Sequence, residues 1–201
     1  MKILKISVRN LNRIIETTAK AVKEGKVLIF PTDTVYGLVA NAQNEQAVKK
    51  NFKIKGRKLQ KTLPIFVKSI KMAKEFAFIN REQEKFLKKV WPGKITVILN
   101  AKLEAQKLFK FGIISSEKKI GLRIPKYKLI NLLLKKLNFP LTGTSANISG
   151  YPPSVVLKKI LKQFKNRKHK PDLTIDAANL PKSKPSKVLD LTTLPPKILR
   201  K

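Results

Sequence analysis

Apolar residues recur at helical spacing in several stretches of the chain. Ile14, Ile15 and Val22 fall on one face of a helix predicted over residues 11–23, and Gly25 follows as its C-terminal cap. Helices need this spacing because residues three and four apart share one face. The same pattern predicts further helices over residues 45–54, 82–90, 127–137 and 155–164.

Short apolar runs lie between these helices and end at turn residues. Val27-Leu28-Ile29-Phe30 is stopped by Pro31, which has no backbone N–H for a sheet. Such runs predict strands over residues 26–30, 35–39, 63–67, 95–99, 120–124, 172–175, 187–191 and 198–200. The alternation of helices and strands predicts an α/β fold. Several links are too short for a helical crossover, so we expect a mixed sheet, and a single domain over residues 1–201.

The composition narrows the chemistry. The chain carries 45 Lys and Arg residues against 12 Asp and Glu, a formal net charge of +33, with one His and no Cys. These counts exclude disulfides, a Cys nucleophile and a catalytic His pair. The charge favours polyanionic partners such as nucleic acid, phosphates or an anionic membrane. The lysines are dispersed along the whole chain, however, so a solvated surface explains the charge equally well.

The sequence also indicates the cell compartment in which we expect the protein. No stretch approaches the roughly 18 consecutive apolar residues of a membrane-spanning helix. The first residues lack the apolar region of a signal peptide. We therefore expect a soluble, cytoplasmic protein without a membrane partner.

Two polar segments are candidates for ligand binding. Thr32-Asp33-Thr34 follows a buried strand, and ligands of layered α/β folds usually bind at strand ends. The alternative is a turn whose side chains bond their own backbone. Lys55-Gly56-Arg57, with Lys61, could converge on phosphate oxygens. The alternative there is chance clustering in a lysine-rich chain.

A third candidate is the small-residue loop over residues 142–150. Thr144, Ser145 and Asn147 offer hydroxyl and amide groups there, without matching the phosphate loop or the nucleophile elbow. A helix-capping loop is the alternative. Arg123, between Leu and Ile in a strand, should face solvent or a polar cavity, and the residue alone favours solvent. We predict that Trp91 is a core residue or a turn anchor. We predict no metal site, because the acidic residues lack metal-site spacing.

Taken together, these segments resemble the YrdC/Sua5 family of L-threonylcarbamoyladenylate synthases over residues 11–200. The order of the Thr32–Leu38 and Thr144–Gly150 segments is the most specific part of that resemblance. The other matching stretches are Lys55-Gly56-Arg57, Lys61 with Leu63-Pro64, Trp91-Pro92-Gly93 with Thr96, Leu122-Arg123-Ile124-Pro125, Pro185-Ser186 with Val188, and Ile198-Leu199-Arg200. The resemblance implies a three-layer YrdC/RibB-like fold, with a twisted mixed sheet of about seven strands around a basic cleft. It corresponds to the short, single-domain form of the family.

The resemblance implies that L-threonine, bicarbonate or CO2, and ATP with Mg2+ form L-threonylcarbamoyladenylate and pyrophosphate. This is the first step of N6-threonylcarbamoyladenosine formation on tRNA, and it needs no protein nucleophile. The residues implied for ATP are Lys55, Arg57, Lys61, Ser145, Asn147 and Arg200. The residues implied for threonine are Thr32, Thr34, Arg123, Thr144 and Ser186.

The resemblance also implies partners. Separate tRNA-modification proteins would transfer the threonylcarbamoyl group, and direct contact with tRNA stays open. One competing hypothesis is a non-catalytic module that binds double-stranded RNA or tRNA through the same basic cleft. Another is a carbamoyl-adenylate domain like that of the hydrogenase-maturation carbamoyltransferases, although this chain lacks their Cys-containing motifs.

Overall fold

The computed structural model describes residues 2–201, which form seven α-helices and eleven strands. The helices are α1 (Leu11–Lys23), α2 (Glu45–Lys55), α3 (Ile70–Phe76), α4 (Arg81–Val90), α5 (Leu103–Leu108), α6 (Lys128–Leu137) and α7 (Leu157–Phe164). The strands are β1 (Lys2–Lys5), β2 (Leu28–Phe30), β3 (Gly37–Val39), β4 (Ile65–Phe66), β5 (Ile95–Asn100), β6 (Lys119–Arg123), β7 (Leu141–Thr142), β8 (Thr144–Ser145), β9 (Leu173–Asp176), β10 (Lys187–Asp190) and β11 (Lys197–Arg200).

The strands form two mixed sheets. The five-stranded sheet has the order β1-β9-β2-β3-β8, and the six-stranded sheet has the order β11-β10-β5-β6-β4-β7. In the first, β9 is parallel to both neighbours, whereas β3 is antiparallel to β2 and β8. In the second, β5 and β6 are antiparallel, and each has a parallel neighbour on its other side. Both sheets therefore combine short hairpin-like links with long crossovers.

Helices cover both faces of the five-stranded sheet. Leu28 and Phe30 of β2 pack in a core with α1 and α6, whereas Ile29 packs in a second core with α2 and α7. Successive strand residues point to opposite faces, so this short strand contributes to both cores. An uninterrupted apolar run is the pattern expected of such a doubly covered strand.

The six-stranded sheet is covered by helices on one face. Val97 of β5 and Leu122 of β6 pack there with Met72 of α3, Leu87 of α4 and Ala105 of α5. The alternate residues of the same strands point the other way, into a cleft. The strand period thus divides each strand into a core side and a cleft side.

A buried polar contact joins the two sheets. Ala40, just after β3, and Thr142 of β7 exchange hydrogen bonds: the Thr142 amide donates to the Ala40 carbonyl, and the Ala40 amide donates to Thr142 Oγ1. The Asn51 side-chain amide donates to the same hydroxyl at 3.0 Å. Since all three residues are buried, these bonds hold the two sheets together at this point.

Helix α2 ends where the predicted phosphate-binding segment begins. Asn44 caps its N-terminus by accepting a hydrogen bond from the Ala47 amide at 3.0 Å. Gly56 ends it in the left-handed conformation, with φ of 60°, which suits glycine. The chain turns at that glycine, so Lys55 and Arg57 leave the helix end in different directions.

The α/β class and the mixed strand directions are confirmed, but the expected single sheet of about seven strands is wrong. Two-residue strands such as β4, β7 and β8 are too short to leave a period in the sequence. Trp91 is buried in the core, as predicted. Within residues 2–201, no helix is long and apolar enough to cross a membrane.

Candidate functional site

The cleft opens over the free face of the six-stranded sheet. Thr96 of β5 and Arg123 of β6 line it from that sheet, while Thr32 and Thr34 line it from the loop between β2 and β3. The cavity encloses about 210 Å3, less than the roughly 300–1,000 Å3 of most sites for drug-sized ligands. A ligand as large as a nucleotide would therefore extend out of its mouth.

Eight of the eleven residues predicted for the site line this cavity. They are Thr32, Thr34, Arg57, Arg123, Thr144, Ser145, Ser186 and Arg200. The remaining three, Lys55, Lys61 and Asn147, lie outside the lining, and each reaches the site through a neighbour. Segments far apart in the sequence therefore meet at one place, as the resemblance implied.

Arg123 is buried, and the solvent-facing position that the residue alone favoured is wrong. Its Nε donates to the Gly93 carbonyl at 2.9 Å, and its NH1 group donates to Thr34 Oγ1 at 3.3 Å. Its NH2 group pairs with Asp33 Oδ1 at 2.5 Å. The Phe66 ring lies beside it, 5.7 Å from Cζ to the ring centroid, in a cation–π contact. The guanidinium is thus held on several sides.

Thr32 fits the explanation of its segment as a self-bonded turn, whereas Asp33 fits the explanation of the same segment as part of a binding site. The Thr32 hydroxyl donates to the Val35 carbonyl at 2.7 Å and accepts from the Thr34 amide at 3.2 Å, as in a self-bonded turn. Asp33 instead reaches across the cleft to Arg123. The turn therefore stabilises its own backbone and also builds one wall of the site.

Arg57 is fixed by the loop that follows it. Its Nε donates to the Lys61 carbonyl at 2.6 Å, and its NH2 group donates to the Thr62 carbonyl at 2.9 Å. Lys61 supports the site through this carbonyl, while its side chain is exposed. Burial and the nearby charge of Arg200 lower the pKa of Arg57.

Lys55 lies beneath the loop that contains Ser145 and Asn147. Four oxygens surround its Nζ: the carbonyls of those two residues at 2.7 and 3.0 Å, Asn147 Oδ1 at 2.9 Å and Ser145 Oγ at 3.4 Å. Asn147 is itself fixed, since its amide group donates to the Ile148 and Tyr151 carbonyls. Burial and the charges of Arg57 and Arg200 lower the pKa of Lys55 to about 7.

An irregularity in β11 aims Arg200 at the cleft. Val188 pairs with Arg200 and Leu189 with Ile198, so Leu199 is the extra residue of a β-bulge. Without a bulge, Leu199 would lie opposite Val188, and Arg200 would then face the side of the sheet away from the cleft. The bulge therefore places the guanidinium on the cleft side, beside Val188.

Hydroxyl groups complete that wall. Arg200 Nε donates to the Ser186 carbonyl at 2.8 Å, and its NH2 group donates to Ser186 Oγ at 3.1 Å. Thr96 Oγ1 lies 2.9 Å from the same hydroxyl. The prediction assigned no role to Thr96, although a threonine inside the apolar run Ile95–Leu99 is a sign of a strand that faces a polar cavity.

The cleft is poor in negative charge. Its lining contains three arginines and no Asp or Glu among the residues that the structure describes. Burial lowers the pKa of Lys55, Arg57 and Arg123, and the charge of Arg200 lowers each of these pKa values further. Cations that destabilise one another in a buried space are stabilised by an anionic ligand. The fold and the cleft therefore define an α/β protein whose cleft suits small anionic ligands.

Comparison with known proteins identifies the family. The family model Sua5_yciO_yrdC, whose description is "Telomere recombination", matches residues 20–201. This chain belongs to the Sua5/YciO/YrdC family. The match includes every segment that contributes a residue to the cleft lining.

Individual relatives agree over most of the chain. A Methanocaldococcus jannaschii relative is 34% identical over 194 residues, which cover 95% of this chain and 86% of that protein. The threonylcarbamoyl-AMP synthase of Histophilus somni is 32% identical over 189 residues, covering 92% of this chain and 96% of its own. The crystal structure of P. abyssi Sua5 complexed with L-threonine has a TM-score of 0.85 at 31% identity. The structural similarity covers 99% of this chain and 56% of the P. abyssi chain.

Proposed function

We propose that this chain is an L-threonylcarbamoyladenylate synthase. It condenses L-threonine, bicarbonate or CO2, and ATP to L-threonylcarbamoyladenylate and pyrophosphate, the first step of N6-threonylcarbamoyladenosine formation on tRNA. The Histophilus somni relative named threonylcarbamoyl-AMP synthase supports this proposal, because the similarity spans 96% of that protein.

The observation that carries the proposal is the cleft lining of three arginines and several hydroxyls without an acidic residue. The reaction brings together two anions, an amino-acid carboxylate and a triphosphate. Guanidinium groups suit both, because their planar fork matches carboxylate and phosphate oxygens. A generally RNA-binding surface needs no such set of arginines and hydroxyls around one cleft.

Threonine and ATP occupy different parts of the cleft. Arg123 binds the threonine carboxylate, and Thr32, Thr34, Thr144 and Ser186 contact the same ligand. Ser145 and the arginines outside the ion pair bind the ATP phosphates. Lys55 and Asn147 act from beneath, by holding the backbone of the Ser145 loop and adding positive charge. Lys61 completes the ATP side through its carbonyl contact with Arg57 and an exposed ammonium at the mouth.

The chemistry requires positioning rather than a protein nucleophile. The threonine amine adds to CO2 and loses a proton, which gives a carbamate. A carbamate oxygen then forms a bond to the α-phosphorus of ATP, and the bond from that phosphorus to the β-phosphate oxygen breaks. Pyrophosphate leaves with the electron pair. The cations of the cleft stabilise the charge that develops on the phosphate oxygens.

Mg2+ enters as part of the substrate. Among residues 2–201, no three His, Cys, Asp or Glu side chains come together as a possible metal site. Mg2+ would therefore be held by ATP phosphates and water, as is usual for this ion. We also propose a single-domain, cytoplasmic protein whose product passes to separate tRNA-modification proteins.

The proposal is tested by identifying the product. The purified protein is incubated with ATP, Mg2+, L-threonine and 13C-bicarbonate, and nucleotides are analysed by mass spectrometry. We expect a threonine-dependent adenylate that carries one 13C atom. Arg123→Ala should abolish it, whereas Lys136→Ala, which removes an exposed cation of α6, should not. The absence of labelled adenylate from the unaltered protein would contradict the proposal.

A further inference from the structure

The hydrogen bonds of Arg123 leave a defined part of its guanidinium for a ligand. An arginine has five N–H donors. In the described part of the chain, three are used, by Gly93, Thr34 and Asp33. Two remain, on a side chain that is only 5% exposed and lines the cleft. These two N–H groups are the ones available to a carboxylate.

Asp33 is as firmly held as the arginine it contacts. One carboxylate oxygen pairs with Arg123 at 2.5 Å, and the other accepts the Lys126 backbone amide at 3.0 Å. Only 7% of the Asp33 side chain is exposed. Asp33 lies between β2 and β3, whereas its partners lie at the end of β6, so the pair joins the walls contributed by the two sheets.

Asp33 also distinguishes Arg123 from the other cations of the cleft. The contacts described for Arg57 and Arg200 are to backbone carbonyls and a serine hydroxyl, which carry no charge. Lys55 likewise contacts only neutral oxygens. The Asp33–Arg123 pair has no net charge, while the ATP side of the cleft keeps its positive charge.

From this asymmetry we propose that Asp33 is a positioning and selectivity residue that reserves Arg123 for the amino-acid carboxylate. The inference rests on the proposed function. A neutral, oriented ion pair binds a singly charged carboxylate through the two free N–H groups. It attracts a multiply charged phosphate much less than an unpaired guanidinium does. Asp33 thereby keeps the triphosphate out of the threonine half of the cleft.

Asp33→Asn tests the charge of this residue, because asparagine keeps an acceptor oxygen but removes the negative charge. We expect the KM for threonine to rise about tenfold or more, while the KM for ATP changes less than twofold. Inorganic phosphate, which should compete only with ATP in the unaltered protein, should become competitive with threonine. A merely structural role would not change the inhibition pattern.

Asp33→Glu separates orientation from charge. The carboxylate is kept but displaced by one methylene, so the threonine KM should rise without phosphate becoming competitive with threonine. Asp172→Asn is the matched control. Asp172 also pairs with a cation, Lys50 at 2.6 Å, and accepts a backbone amide, that of Val27 at 2.8 Å. Asp172 does not line the cleft, so Asp172→Asn should leave the KM values for threonine and ATP unchanged.

A threonine KM within twofold of the unaltered value in Asp33→Asn would overturn the inference, as would phosphate that still competes only with ATP. If Asp33→Asn does not fold, the threonine KM of Asp33→Glu provides the test, and a value equal to that of the unaltered protein would overturn the inference. Failure of the proposed function is distinguishable, because the unaltered protein would then form no adenylate. In that case, calorimetric titration would show whether Asp33→Asn weakens threonine binding and whether phosphate competes with threonine for the variant.

Discussion

Lys55 is a buried charge that lies outside the cleft lining, beneath the Ser145–Asn147 loop. Its ammonium group has three protons, and four neutral oxygens of the Ser145–Asn147 loop surround it. These oxygens stabilise the ammonium form, whereas burial and two nearby arginines lower its pKa to about 7. The free protein therefore holds this proton weakly at neutral pH.

This shift gives a pH dependence of stability. Between pH 7 and 10.5, the ordinary pKa of lysine, an unfolded chain keeps the Lys55 proton that the folded protein has lost. Because the unfolded state binds more protons there, the contribution of Lys55 to the free energy of unfolding rises with pH, by at most about 1.4 kcal/mol per pH unit. Lys55→Met should remove this rise in urea unfolding experiments at pH 6, 7.5 and 9.

Lys53→Met provides the control for loss of one lysine, since Lys53 is an exposed residue of the same helix. Its unfolding free energy should follow that of the unaltered protein over this range. Identical pH profiles for Lys55→Met and the unaltered protein would contradict the assignment of a weakly held proton to Lys55.

At this scale the sequence predicted which residues meet but not how they contact one another. Arg123 and Thr34 were assigned to the site from the resemblance, and both line the cavity. Asp33 was assigned no role, because its partner lies 90 residues away and no local pattern reports such a pairing. Phe66, which packs beside Arg123, looks like any core residue of a short strand.

Among the larger elements, the loop between β9 and β10 is held at its start by one buried side chain. Tyr36 donates its hydroxyl hydrogen to the Ala178 carbonyl at 2.7 Å and accepts from the Ala177 amide at 3.0 Å. Ala178 has a φ of 56°, which is unfavourable for a residue with a Cβ atom. Burial raises the pKa of Tyr36 to about 12, so the hydroxyl keeps its proton well above neutral pH. This contact holds the start of the loop that ends at Ser186.

Tyr36→Phe should therefore loosen this loop. We expect the free energy of unfolding to fall by about 0.5–1.5 kcal/mol, because a partly buried amide and an exposed residue's carbonyl lose their partner. Amide exchange at Ala177 should become faster. Tyr151→Phe is the control, since Tyr151 is 60% exposed. Equal stability and equal exchange in the two variants would show that the hydroxyl does not hold the loop.

The sequence predicted the elements with a clear period and missed those without one. Helices α1 and α2 agree with their predicted ranges within one residue, because each has a distinct apolar face and a glycine at or just beyond its end. Strand β1 was missed, since it is an exposed edge strand that pairs with β9 from the far end of the chain. Helices α3 and α5, of seven and six residues, are too short for a reliable period.

The whole molecule combines a dispersed positive charge with a small, ordered set of buried cations. The net charge of +33 alone cannot separate a nucleic-acid partner from a solvated surface. The cleft is more specific, because its three arginines are fixed by neutral oxygens or one carboxylate and come from three separate elements, the loop after α2, strand β6 and strand β11. Tertiary structure was needed to see this, since the two sheets meet through contacts between residues about 100 positions apart.

The most direct test of the central claim is the release of pyrophosphate from ATP in the presence of Mg2+ and bicarbonate, measured with and without L-threonine. We predict that release depends on L-threonine and on bicarbonate, because the carbamate must form before the α-phosphate can be attacked. A release rate that is the same without threonine, or no release from a folded protein that binds RNA tightly, would contradict the assignment of this cleft to threonylcarbamoyladenylate synthesis.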